Sequence, residues 1–132
     1  MVRRSPPGAV ERRQVQRRLQ AQLIKKLFDT GITIVAGTDS QPFFYVSELE
    51  TYERAGIPAP NVLQIATIVP ARVMNEDRDY GSIVVGKVAD LVIVDGQPAT
   101  RISDLRRAET VIRAGRVYDV RELYEVVGVI PR

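Results

Sequence analysis

The residues of this chain whose type and setting could do chemistry stand together in Gly37-Thr38-Asp39-Ser40. Just before them, residues 32–36 read Ile-Thr-Ile-Val-Ala, β-branched or small throughout. Such a run suits a strand buried on both faces, as in a parallel sheet under helices. Gly37 lets the backbone turn, which leaves Asp39 at the carboxyl end of the strand. In α/β proteins ligands and catalytic groups sit at that end. The same letters also fit an Asx-turn at Asp39 with Ser40 as ordinary loop, and local sequence alone favours that plainer reading. Next comes Gln41-Pro42-Phe43-Phe44-Tyr45. This aromatic loop suits the wall of a pocket as well as it suits a hydrophobic plug over the strand end.

Composition limits the chemistry available. The chain has no cysteine, which excludes disulfides and thiolate metal sites and leaves the redox compartment open. It has no histidine, and so lacks the commonest metal ligand and the commonest general base. At 132 residues it is one domain's worth of chain, with 45% apolar and 27% charged residues, the balance of a soluble globular protein. The net charge of +3 is unevenly placed, with Arg3, Arg4, Arg12, Arg13, Arg17 and Arg18 near the amino terminus. No aromatic is interleaved with these arginines and no nucleic-acid-binding motif follows. A solvated helix face fits them better than a nucleic-acid footprint. No apolar run reaches the length of a membrane span, and the basic start lacks the apolar core of a signal peptide. The compartment is therefore undetermined, with the cytoplasm as the default expectation.

Several elements could position Asp39. Val15, Leu19, Leu23 and Leu27 recur every four residues, widened by Ile24 and Phe28, and predict an amphipathic helix over residues 9–30 capped at Gly31. Ser47 with Glu50 forms a capping-box pattern that opens a helix running to Ala55 and stopped by Gly56. Asn61 is expected to cap a second helix, which Pro70 breaks so that a further helical piece runs over 70–74. Beyond the polar stretch 75–79 the pattern turns to β. Strands are expected over 82–85 and 89–94, with a turn at Asp95-Gly96. A helical turn follows near Asp104-Leu105, then a hairpin of 109–113 with 116–118 around Ala114-Gly115. Asp119 with Glu122 starts a last helix.

Taken together, these residues resemble a known pattern. Gly37-Thr38-Asp39-Ser40, Glu48-Leu49-Glu50, Ala66-Thr67 with Pro70-Ala71-Arg72, Gly81-Ser82-Ile83, Gly86-Lys87-Val88-Ala89-Asp90-Leu91-Val92, and Val111-Ile112 before Gly115-Arg116-Val117 follow one another in order. This order and spacing is similar to the carboxyl-terminal part of the amidohydrolase superfamily, nearest its imidazolonepropionase-like and prolidase-like branch. The Gly-Lys-x-Ala-Asp-Leu-Val block is the most specific piece, and the resemblance runs from about Val10 to Val120.

The resemblance implies an α/β fold: the last strand and helices of a (β/α)8 TIM barrel in residues 1–76, and the carboxyl-terminal half of a small β-sandwich with a final helix in 77–132. It implies a metal-dependent hydrolase acting on a non-peptide C–N bond or a small amide or dipeptide. Asp39 would then be a ligand of a divalent metal, usually zinc, and the acceptor of a proton from metal-bound water. Ser40, Phe43, Phe44 and Tyr45 would line the substrate pocket. Asp90 and Lys87 would be structural, Asp90 ordering a turn at a strand start.

The family's His-x-His pair, its bridging Lys or Glu and its further histidines belong to earlier barrel strands. A barrel needs about 250 residues, and a catalytic zinc about three protein ligands. The isolated chain is therefore expected to hold no catalytic metal and to turn over no substrate. It would need the amino-terminal barrel portion as partner, or would self-associate, because its strand and the apolar face of its first helix lack cover. The alternative is a non-enzymatic remnant α/β domain acting as an oligomer or interaction module. Neither nucleic acid nor membrane is an expected partner.

Overall fold

The computed structural model describes residues 8–38 and 44–128. Helix α1 spans Ala9–Asp29 and ends as its sequence dictates. Gly31 takes a left-handed φ of 78°. From there its amide reaches the Phe28 carbonyl, and the Ile32 amide reaches that of Leu27. This is the paired closure of a Schellman turn. Helix α2, Tyr45–Arg54, closes in the same way at Gly56, through Gly56 to Glu53 and Ile57 to Tyr52.

Helix α3 is Ala59–Ala66 and α4 is Ile68–Val73. The expected cap at Asn61 is corrected: the helix starts earlier, after Pro58, with a proline in its first turn, where a missing amide costs nothing. The break falls at Thr67. Pro70 lies inside the first turn of α4, where it needs no amide partner. The capping box at Ser47 is also corrected, since α2 begins at Tyr45 and has no side-chain cap. Ser47 and Glu50 are instead engaged from a distance by Arg106.

The β part is one antiparallel sheet in the order β1-β2-β3, formed by Leu91–Val94, Ala108–Arg113 and Arg116–Asp119. Leu91 faces Ile112 and Val92 faces Val111, with a bulge between Ile93 and Val94. Arg113 faces Arg116 across the hairpin. A 3-10 helix, Ile102–Arg107, joins β1 to β2. Helix α5, Val120–Val126, is capped by Asp119, whose Oδ1 accepts the Arg121 amide at 2.7 Å.

Two expected strands are not formed. Residues 32–38 and 82–84 carry no strand. A strand exists only through a neighbour's ladder, and among the described residues neither segment has one. Ile32 and Val35 stay exposed, as do Ile83, Val84 and Val85.

The core consists of Leu49, Tyr52, Ile57, Ala59, Val62, Ile65 and Ile102. Ile102 comes from the 3-10 helix and is completely buried among side chains of α2 and α3. Its amide donates to Glu53 Oε1 at 3.1 Å. Ile24 and Phe28 pack against this core from α1, whereas Val15, Leu19 and Leu23 remain more than half exposed. Among the described residues no helix is long and apolar enough to cross a membrane.

Candidate functional site

Residues 32–38 approach the core one side chain at a time. Ile34 and Ala36 pack against it, which keeps the alternation of an extended chain with one face turned inward. The Ala36 amide points to the Ile65 carbonyl at 3.5 Å. One residue later the Gly37 amide donates to Glu48 Oε1 at 3.1 Å. That same oxygen accepts the Tyr52 hydroxyl. Glu48 and Tyr52 lie one turn apart on α2, so their side chains meet on one helix face.

Burial, reinforced by the hydrogen bond to Glu48, raises the Tyr52 hydroxyl above the ordinary phenol range. Tyr52 therefore stays protonated and keeps donating. Tyr45 is also raised, first by burial and then by the Glu48 charge.

A shallow groove of about 520 Å³ opens beside these groups, lined by Leu23, Ile24, Thr38, Phe44, Glu48 and Tyr52 among others. Of the pocket-wall residues expected from the sequence, Phe44 lines this groove and is exposed. Tyr45 opens α2 and packs against the core. Asp39, Ser40 and Phe43 lie outside the described residues. The groove thus abuts Thr38, the last described residue before Asp39.

Helix α2 is fixed to the chain that follows it. Arg106 Nε donates to Glu50 Oε1 at 2.8 Å, and Nη2 reaches Glu50 Oε2 at 3.1 Å and Ser47 Oγ at 2.8 Å. The guanidinium's hydrogen bonds hold the Glu50 carboxyl below its usual range. Asp104, buried, accepts the Gln97 amide at 2.9 Å and Arg101 Nε at 2.7 Å. The Gln97 amide first, and then Arg101 and Arg107, hold its carboxyl below the usual carboxylate range as well.

The block around Lys87 is structural in its contacts. Lys87 Nζ binds the Asp77 and Tyr80 carbonyls at 2.5 and 3.0 Å. Asp90 Oδ1 accepts the Ala114 amide at 2.7 Å, fastening the hairpin tip to the start of β1.

Residues 11–118 match the family model described as the amidohydrolase family. The chain belongs to that family. Its fold is a piece of the α/β amidohydrolase TIM-barrel fold, as the solved structures bear out. A Xaa-Pro dipeptidase with bound methionine in its active site superposes with a TM-score of 0.71 at 31% identity, over 75% of this chain and 25% of its own. An amidohydrolase from Thermotoga maritima MSB8 superposes with a TM-score of 0.64 at 29% identity, over 75% of this chain and 26% of its own. In sequence, a 5-methylthioadenosine/S-adenosylhomocysteine deaminase of Thermoanaerobacter pseudethanolicus is 32% identical over 87 residues, covering 56% of this chain and 19% of the deaminase. The chain thus spans between a fifth and about a quarter of the length of these relatives.

Amidohydrolases typically bind a divalent metal. Among the described residues no group of three or more acidic, histidine or cysteine side chains could hold an ion, and the whole sequence contains no histidine or cysteine. A catalytic ion needs about three protein ligands. The described residues do not fit a metal centre by themselves.

The sequence pattern points to Asp39 but not to Glu48 and Tyr52, which hold the Gly37 amide, nor to Arg106, which holds α2. The four-residue spacing of Glu48 and Tyr52 was a usable signal. The Arg106 contact had none, because its partners lie far away in the chain.

Proposed function

We propose that this chain is the carboxyl-terminal portion of a metal-dependent amidohydrolase, inactive alone. Residues 1–76 supply the final barrel segment, in which 32–36 becomes the last strand once neighbouring barrel strands pair with it, and 77–132 the carboxyl-terminal share of a small β-sandwich and the helix after it. Asp39 is one ligand of a divalent metal, zinc by the family's habit, whose other ligands come from outside these 132 residues. The reaction is hydrolysis of a non-peptide C–N bond or of a small amide or dipeptide, in a pocket walled by Ser40, Phe43, Phe44 and Tyr45.

One observation carries the reading. Inside a family match over residues 11–118, an apolar segment that has no strand neighbour among the described residues runs in sequence straight into Asp39. Exposed Ile32, Val35, Ile83, Val84 and Val85 are further support, being side chains that a neighbouring strand or sheet would cover. The partner is an amino-terminal barrel portion or, in its absence, further copies of the chain. The dipeptidase and deaminase relatives support the substrate class.

The test is to purify the chain alone and with an amino-terminal amidohydrolase barrel segment, then measure zinc content and turnover of Xaa-Pro dipeptides and small amides. Metal and turnover are expected only in the combination. Stoichiometric zinc or turnover in the chain alone contradicts the reading. A stable monomer that ignores the barrel segment favours the interaction module instead.

A further inference from the structure

We propose that Glu48 is a positioning residue that sets the backbone leading into Asp39. The proposal rests on Asp39 being the functional carboxylate. Three contacts carry it. Glu48 Oε1 accepts the Gly37 amide at 3.1 Å, two residues ahead of Asp39. The same oxygen accepts the Tyr52 hydroxyl one turn along α2, which fixes the side chain's rotamer. Helix α2 is itself anchored, through Glu53 to the Ile102 amide and through Ser47 and Glu50 to Arg106.

A charge-assisted bond from carboxylate to amide is among the stronger hydrogen bonds a surface-proximal site can make. Gly37 has no side chain through which packing could hold it, so this amide is the handle by which the helix grips it. Displacing a reacting group by about 1 Å from its productive geometry costs on the order of a hundredfold in rate. A tether two residues upstream thus has direct leverage on the carboxylate. The negative charge is not required. A glutamine carbonyl accepts the same two bonds, whereas alanine accepts neither.

The experiment reads amide hydrogen exchange by NMR on the 132-residue chain. In Glu48→Ala, Gly37 exchange accelerates by roughly ten- to hundredfold, while the α2 amides exchange as before. In Glu48→Gln, Gly37 stays protected. Tyr52→Phe removes only the hydroxyl that holds the carboxylate and serves if Glu48→Ala fails to fold. It too accelerates Gly37.

Unchanged Gly37 exchange in both Glu48→Ala and Tyr52→Phe overturns the proposal, as does loss of protection in Glu48→Gln equal to that in Glu48→Ala. In the barrel-completed protein, Glu48→Ala lowers kcat with KM unchanged and Glu48→Gln restores it. A wild-type assembly without turnover, alongside the expected exchange pattern, defeats the hydrolase reading and leaves the tether standing.

Discussion

Arg106 and Glu50, 56 residues apart in sequence, form a forked ion pair with Nε–Oε1 at 2.8 Å and Nη2–Oε2 at 3.1 Å. The fork joins the 3-10 helix before β2 to the helix that carries Glu48. It does so on planar geometry, which lysine cannot reproduce. Arg106→Ala is expected to destabilise the chain by about 1–2 kcal/mol in urea denaturation. Screening of a half-exposed guanidinium keeps the loss from being larger. Arg106→Lys should recover little of it.

The same pair sets an acid limit. The Glu50 carboxyl is held below its ordinary 4.5 by Arg106, so the folded state binds its proton less readily than the unfolded one. The stabilisation is complete above the unfolded value and disappears as pH falls through the lower folded value. Asp104, held below 3.8 chiefly by the Gln97 amide, behaves alike. The stability difference between wild type and Arg106→Ala, followed by urea titration across pH, should be constant above about 4.5 and shrink below it. A difference that persists at full size in acid contradicts this assignment.

Ile102 joins the sheet side of the chain to the helices, since it is wholly buried among α2 and α3 side chains. Ile102→Ala should cost about 2–5 kcal/mol through the transfer and cavity terms together, measured by thermal or urea unfolding. Val85→Ser, at a fully exposed position, should stay within about 0.5 kcal/mol of wild type.

Gly96 stands where no side chain fits. A Cβ there would lie 2.6 Å from Arg107 Nη2 and 2.7 Å from both Asp104 Cβ and Oδ2. Gly96→Ala must push aside the carboxylate that binds the Gln97 amide. A loss of about 1–3 kcal/mol is expected in unfolding experiments, together with faster exchange of the Gln97 amide.

What could be read from the sequence followed how local each signal is. Gly31 and Gly56 close their helices because a left-handed residue after an apolar stripe needs nothing else nearby. Asp119 caps its helix, and Ala114-Gly115 turns the hairpin, for similarly local reasons. Ser47 and Glu50 misled because the spacing of a capping box is also the spacing of two acceptors on one helix face, and the donor that claimed them is Arg106. Residues 32–36 and 82–85 carry a strand's composition, but composition cannot supply the neighbour that makes a strand. The sequence points to a site at residues 37–40, of which Gly37 and Thr38 are described, whereas the grip of Glu48 on Gly37 depends on how α2 packs and was not legible.

The most direct measurement is turnover of Asp39→Asn in the barrel-completed protein, with circular dichroism and unfolding followed in parallel. Asparagine keeps the shape and removes the charge. Hydrolysis should be abolished while the spectrum and the unfolding midpoint match wild type. Turnover retained by Asp39→Asn would contradict the assignment of Asp39 as the functional carboxylate, and with it the hydrolase reading of this chain.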